Sequence, residues 1–292
     1  MRRNATSDMP FLILVWIVLA LAVAVTLYPF VYVISMSLSS LEAVAAQKVK
    51  LLPVGFSLDS YKLVFSNPDL LRSYYNTIWY TVVGTALSVA VTILGAYPLS
   101  RRELIWRKPF MLAIIVTMYF SGGMIPGFLL VKNLGLLDTR WAIVIPPLVS
   151  AFNMIVCKTF FESTNESVIE SAKLDGCNDI GILWRIVLPV SMPIVAVMAL
   201  FYAVDRWNSY FSALLYLRDS KLYPLQIYLM NTLIQDNDSS AMQTVEDAAK
   251  RAMMAAQIKY ALIIVSTLPI LFVYPFVQKY FVKGVMLGSV KE

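Results

Sequence analysis

Six stretches of this chain are apolar over about the 20 residues that a helix needs to cross the hydrocarbon core of a bilayer. They run roughly from Pro10 to Met36, Tyr75 to Leu99, Pro109 to Val131, Trp141 to Phe161, Pro189 to Leu217 and Ile258 to Phe281. A soluble domain cannot hide so many long apolar runs. The composition agrees: 59% of the 292 residues are hydrophobic and 14% are charged, against roughly 45–50% apolar in soluble domains. The first stretch is too long for the apolar core of a signal peptide and no small-residue cleavage site follows it, so it reads as an uncleaved span. The expected fold is an all-α membrane protein of six transmembrane helices, with residues 10–281 as one membrane domain between short ends at 1–9 and 282–292.

Orientation follows from the basic residues near the span ends. Arg2 and Arg3 precede the first span, and Arg101, Arg102, Arg107 and Lys108 fill the short link between the second and third. Both intervals are expected in the cytoplasm, which puts Ser37 to Arg72, Lys132 to Arg140 and Arg218 to Gln257 outside. Those outer segments carry lysines and arginines too, but long loops weigh less in the rule. The net charge of +6 is spread among apolar spans without an aromatic-interleaved stripe, so the basic residues read as membrane anchors rather than a nucleic-acid surface.

Much chemistry is excluded. Histidine is absent and only Cys157 and Cys177 are present, which removes Cys-His and Ser-His catalysis and the usual zinc sites. A disulfide between the two cysteines is not expected, because the topology puts both near the reducing side. No Gly-x-x-x-x-Gly-Lys-Ser/Thr string occurs, so the chain has no phosphate-cradling loop of its own. Carboxylates cluster at Glu162, Glu166, Glu170, Asp175 and Asp179, where a solvated face explains them better than a metal.

Prolines inside the spans, among them Pro98, Pro126, Pro146, Pro147 and Pro193, each delete a backbone donor and predict bent helices. The string Ser121-Gly-Gly-Met-Ile-Pro126 is expected to break the third span near its outer end. Gly122 and Gly123 there are candidates for a hinge or for lining a pathway. Asp205 and Arg206 are the charged residues placed well inside a candidate span, in Tyr202-Ala-Val-Asp-Arg-Trp-Asn-Ser-Tyr-Phe211. Ionisable groups at that depth point to function unless they are paired. At helical spacing Asp205, Asn208 and Ser212 share a face with Phe201, and Trp207, Tyr210 and Phe211 add aromatic surface. Polar groups that bond hydroxyls, beside aromatic faces that stack on C–H patches, suit a sugar; a structural ion pair packed among aromatics explains the same residues equally well. The outer segment from Asp236 to Arg251 reads as a solvated loop with one short helix.

Between the fourth and fifth spans, a polar loop at about 162–188 holds Glu170-Ser-Ala-Lys-Leu-Asp-Gly176, followed by Ile186-Val-Leu-Pro189. This reads as a short helix stopped by a glycine turn, either a solvated connector or an element that docks into another protein. Its spacing resembles the cytoplasmic coupling loop of permease subunits of ATP-binding-cassette (ABC) importers. In that pattern Glu-Ala-Ala is followed by Gly, and then by Ile and Leu-Pro at fixed distance. Glu170, Ala172, Gly176, Ile186, Leu188 and Pro189 fit, with Ser171 the small-for-small departure. Ser121 to Pro126, Asn133-Leu-Gly-Leu-Leu137, Trp207-Asn208 and the tail Gln278 to Lys291 extend the resemblance to the maltose-type carbohydrate permeases, in the LplC-like branch associated with oligosaccharides from plant or algal polysaccharides such as pectin or alginate.

The resemblance implies a type I ABC importer permease with a cytoplasmic coupling helix, in the bacterial cytoplasmic (inner) membrane. It implies a second homologous permease, two ATPase subunits that bind ATP and Mg, an extracytoplasmic solute-binding protein and an oligosaccharide substrate, with no cofactor and no catalytic residue in this chain. Glu170, Ser171, Ala172, Asp175 and Gly176 would then couple to an ATPase, and Lys283, Gly284 and Gly288 of the tail would touch one too. Asp205, Asn208, Tyr210, Phe211, Gly122 and Gly123 are the candidates for the substrate pathway. Asp205-Arg206 departs from the neutral residues expected there. Two rivals remain open at this point. One is an intramembrane enzyme or assembly factor using Asp205, and the other a proton-coupled secondary carrier, which usually shows inverted repeats and paired buried acids.

Overall fold

The structure, a computed structural model, describes residues 9–234, 257–272 and 275. The polar segment from Asp236 to Arg251 and the tail from Gln278 to Lys291 lie outside the described residues. Every regular element among the described residues is a helix. The described residues divide into two compact units, one within residues 9–70, 229–234 and 257–268 and the other within residues 71–228, 269–272 and 275.

In the first unit, α1 (Met9–Ser37) is apolar on all sides and exposes nearly every side chain before its last turn. A helix without a polar face belongs in lipid or against another protein. Only its end is anchored. The Ser35 hydroxyl donates to the Leu51 carbonyl at 2.7 Å and the Ser60 hydroxyl to the Ser37 carbonyl at 3.0 Å. Met36 packs with Ala43, Val44 and Val49.

In the second unit, α2 (Pro68–Ser100) is the other unbroken helix long enough to span. The remaining apolar intervals are interrupted where the sequence removes backbone donors or frees φ. The third splits into α3 (Arg107–Tyr119) and α4 (Met124–Asn133), bent by 115°. Gly123 caps the second half at φ +88, as the glycine-proline string predicts. In the fourth interval, helix Trp141–Val144 stops before Pro146 and Pro147, and α5 (Ala151–Glu162) restarts behind a Ser150 cap. The polar loop carries α6 (Glu166–Leu174). Then α7 (Asp179–Val190) turns by 84° into α8 (Met192–Asn208). α9 (Gln257–Phe272), whose residues 257–268 belong to the first unit, is the helix described in the sixth interval.

Apolar lipid gives helices little hydrophobic reason to associate, so close packing and satisfied polar groups must hold the spans together. Accordingly, small fully buried residues, Ala96 of α2 and Cys157 of α5, let these helices approach. Tyr97, Phe161, Leu183, Val187 and Met198 fill the space around them. Near the start of α2 the fastening is polar. The Asn76 amide donates to the carbonyls of Lys221 and Tyr223 at 2.8 and 3.1 Å and accepts from Arg140, whose guanidinium lies over the Tyr75 and Trp79 rings.

Candidate functional site: a docking helix and a knotted helix break

The polar loop folds as its local chemistry dictates. The Asn165 side chain accepts the Ser167 N–H at 3.1 Å to begin α6, and Glu166 sits in the first turn, where a carboxylate complements the helix dipole. The helix ends in a Schellman motif. The Gly176 N–H donates to the Lys173 carbonyl at 3.0 Å, and the Cys177 N–H to the Ala172 carbonyl at 2.9 Å. Gly176 has φ +81, the left-handed conformation that glycine adopts without a steric penalty.

α6 is two-faced. Ile169 and Ala172 are buried in the same cluster as Tyr97, Phe161 and Leu183. Ser167, Glu170, Ser171 and Leu174 face outward, with Leu174 at 90% exposure. Of the residues predicted to couple, Glu170 and Ser171 therefore lie on the free face, and Asp175 and Gly176 form the turn. Ala172 instead seats the helix on its own chain. Ion pairs tie α6 and its surroundings to the link after α2. Lys173 Nζ lies 2.7 and 2.5 Å from the Glu103 carboxylate oxygens, and Arg107 pairs with Glu162. The Glu103 hydrogen bond holds the Lys173 ammonium above its ordinary pKa. A polar cavity of about 390 Å³ opens among Ser100, Arg102, Glu103, Arg107 and Lys173.

The second place is the break at residues 145–150. Proline at 147 supplies no N–H to the Ile143 carbonyl four residues back, and a carbonyl left bare inside a membrane is costly. Arg206, in the last turn of α8 and 3% exposed, takes over that task. One terminal nitrogen donates to the carbonyls of Ile143 and Val144 at 2.9 and 3.1 Å. The other donates to Ser88 Oγ at 2.9 Å and to the Pro147 carbonyl at 3.1 Å. The guanidinium lies against Gly84 so closely that a Cβ there would sit 3.0 Å from it. Arginine suits this role because its planar fork serves several acceptors at once, which an ammonium on a flexible stem does not. α2, the broken segment and α8 are thereby knotted together.

Asp205 points elsewhere. Among the described residues no hydrogen bond or ion pair engages its carboxylate. It lines a cavity of about 740 Å³ with Ser150, Phe152, Asn153, Phe201 and Tyr202. The Tyr202 hydroxyl is already committed, at 2.7 Å from Thr92 Oγ1 and accepting the Ser150 N–H at 3.2 Å. Asn153, which also borders the cavity, is only 5% exposed. The other pathway candidates are not brought to this cavity. α8 ends at Asn208, whose amide donates to the Val204 carbonyl. Ser212 consequently lies on the following helix, Phe211–Tyr216, and does not extend the face of Asp205. Tyr210 and Phe211 meet edge to face at 6.4 Å. Gly122 and Gly123 lie at the bend between α3 and α4. Sequence reasoning missed Gly84, Ser88 and Asn153. A polar residue within an apolar interval was the available signal for the last two; Gly84 had none.

The sequence pattern of the family described as "Binding-protein-dependent transport system inner membrane component" matches residues 101–287. The chain is 48% identical over 260 residues to the polygalacturonan/rhamnogalacturonan transport system permease protein YtcP of Bacillus subtilis (strain 168), covering 88% of this chain and 90% of that protein. It is 46% identical to the protein LplC of the same organism, covering 88% and 87%. Among solved structures it is similar to a chain of a bacterial ABC transporter involved in the import of the acidic polysaccharide alginate. The TM-score is 0.88 at 38% identity, covering 96% of this chain and 100% of that one.

Proposed function

We infer a transport role from one premise: the chain belongs to the family of binding-protein-dependent transport system inner membrane components. It is a multi-pass permease of the bacterial inner membrane that works with a solute-binding protein, and ATP is hydrolysed by partner subunits rather than by this chain. We propose that it forms half of the pathway of an oligosaccharide importer, beside a second homologous permease and above two ATPases. Its relatives named for polygalacturonan, rhamnogalacturonan and alginate point to fragments of such polysaccharides as the substrate class.

The observation that carries the reading is the build of α6. Its free face, Ser167, Glu170, Ser171 and Leu174, presents one fully exposed apolar side chain among small polar ones, a surface that fits a cleft in a cytoplasmic ATPase. Its other face is pegged by Ile169 and Ala172 into the packing of α2, α5, α7 and α8. Closely packed interiors transmit displacement rather than absorb it. ATP-driven closure of the ATPases therefore moves α6 and the spans beneath it together. The bends at residues 120–123 and at Ser191 are where the moving parts change direction.

The test is the complete complex, co-expressed and placed in lipid bilayers, with ATP hydrolysis measured with and without binding protein and oligosaccharide. Leu174→Asp and Glu170→Ala are expected to abolish sugar-stimulated hydrolysis, and Leu174→Asp to release the ATPases, while the permease stays folded. Full stimulation in Leu174→Asp would remove α6 as the coupling element.

A further inference from the structure

We propose that the guanidinium of Arg140, with the Tyr75 and Trp141 rings beside it, receives the carboxylate of an acidic sugar unit at the outer side of the membrane. This subunit then selects uronate-bearing oligosaccharides as they enter. The assignment rests on the transport reading above, and it names the charge on the substrate and the residue that meets it.

Arg140 is held in place by a chain of contacts. Asn76 donates to the carbonyls of Lys221 and Tyr223 at 2.8 and 3.1 Å, which turns its amide oxygen to accept from one terminal nitrogen of Arg140 at 3.1 Å. The guanidinium lies 5.4 Å from the centre of the Tyr75 ring and 5.1 Å from that of Trp79. Trp79 is itself braced edge to face against Trp141 at 5.9 Å. The other nitrogens of the guanidinium have no hydrogen-bond partner among the described residues, and no carboxylate there pairs with it. Asp138, nearby in sequence, turns instead to the backbone N–H groups of Arg218 and Asp219. Arg140 is only partly buried, and Tyr75 and Trp141 are 58% and 45% exposed. The result is a positioned cation, open to solutes and without a counter-charge.

Place and chemistry agree on the ligand. From Asn76 to Ala96, α2 rises about 30 Å, the thickness of the hydrocarbon core. Ala96 packs in the same cluster as Ile169 and Ala172 of α6. With α6 at the cytoplasmic ATPases, Arg140 stands at the opposite face, where a solute-binding protein releases its sugar. The planar fork of arginine matches the two oxygens of a carboxylate. The exposed rings beside it cover the apolar C–H face of a pyranose. A uronate carries both features in one unit, whereas a neutral sugar leaves the cation without a counter-charge.

Oligouronates and their methyl esters share a skeleton and differ in charge. Trigalacturonate, trimannuronate and the fully esterified form of each are titrated into the reconstituted complex with one binding protein. ATP hydrolysis is read as the ratio of response to acid over response to ester. Because the binding protein is constant, a change of that ratio between variants reports the permease. Arg140→Gln is expected to lower the ratio about tenfold, the loss of one charged hydrogen-bonding partner. Arg140→Lys, which keeps the charge without the fork, should fall between Arg140→Gln and the wild type. Trp141→Ala should weaken both responses in parallel, because stacking on a ring is indifferent to esterification. If Arg140→Gln does not assemble, Arg140→Met, which keeps an apolar stem against the Tyr75 and Trp79 rings, is read in the same way. Where the wild type answers only the acid, the neutral variant should raise its half-saturating concentration about tenfold. An unchanged ratio or concentration in an assembled variant overturns the assignment and leaves the transport reading standing, and so does a wild type that answers only the ester. A lipid phosphate offers the fork an oxyanion too, so the bilayer is prepared with and without phosphatidylglycerol. A ratio that holds while Arg140→Gln loses a wild-type dependence on that lipid gives the guanidinium to a headgroup and overturns the assignment. A wild-type complex that hydrolyses ATP but answers to none of the sugars removes the oligosaccharide reading and this assignment with it.

Discussion

α6 and the break at residues 145–150 solve the same problem in opposite ways. Each leaves backbone groups that a continuous helix would have satisfied. α6 satisfies its own with Asn165 at one end and Gly176 at the other, inside one short stretch of chain and in contact with solvent. The break relies on Arg206, 63 residues beyond Ile143, in a place that solvent does not reach. Local, hydrated ends tolerate damage because water replaces a lost bond. A distant donor in a dry setting is indispensable, because nothing replaces it.

The largest effect is therefore expected at Arg206. Arg206→Met strips the donors from three carbonyls and a hydroxyl, each buried unsatisfied group costing about 1–3 kcal/mol. Thermal unfolding of the purified complex should show a loss of at least about 3 kcal/mol or failure to assemble. Pro147→Ala in that background returns an N–H within reach of Ile143 and is expected to recover part of the loss. A wild-type melting curve for Arg206→Met would break the comparison.

Next comes Gly84. In an open helix Gly→Ala is favourable by about 1 kcal/mol, but here the new Cβ meets a guanidinium pinned by four hydrogen bonds. Gly84→Ala should instead destabilise by about 1–2 kcal/mol. Combined with Arg206→Met, its cost should largely vanish, and additive costs would show that the glycine does not act through Arg206.

At α6 the effects shrink in stability and grow in coupling. Nothing lies within 4 Å of a Cβ built at Gly176, so Gly176→Val suffers only from its positive φ, about 1–2 kcal/mol. Gly176→Asn should suffer less, because asparagine visits that region more readily. Both are expected to assemble and to melt within several degrees of the wild type, while valine loses sugar-stimulated ATP hydrolysis. Such a separation is not expected at Arg206.

The smallest effect belongs to Lys173→Ala. A partly exposed pair contributes at most about 1 kcal/mol and fades with salt. Because Glu103 raises the folded-state pKa of Lys173, the contribution is complete below the ordinary lysine pKa and disappears as pH climbs through the raised value. Stability measured from neutral pH into the strongly alkaline range should fall less in the variant than in the wild type.

What could be read in the sequence follows the same division. The apolar runs of α1 and α2, the α3–α4 break at Gly122 and Gly123, and the stop of α6 at Gly176 depend on residues adjacent in the chain, and those elements lie where the residues put them. Asp205 and Arg206 stood out by charge alone, but their roles were beyond reach. As neighbours on one helix they invited a shared explanation, whereas the structure sends Arg206 into a cage of carbonyls and Asp205 into a cavity. Ala172 belonged to the motif, yet only packing shows that it faces inward.

By itself the sequence determined that this chain lives in a bilayer, where its helices bend, and which polar loop ends in a glycine turn, because hydropathy, missing N–H groups and φ freedom are properties of short segments. The tertiary structure decided which distant side chain replaces the donor that Pro147 removes and that the neighbouring Asp205 carboxylate borders a cavity instead. Those outcomes depend on which groups meet across helices in a medium without water, and no local pattern encodes them.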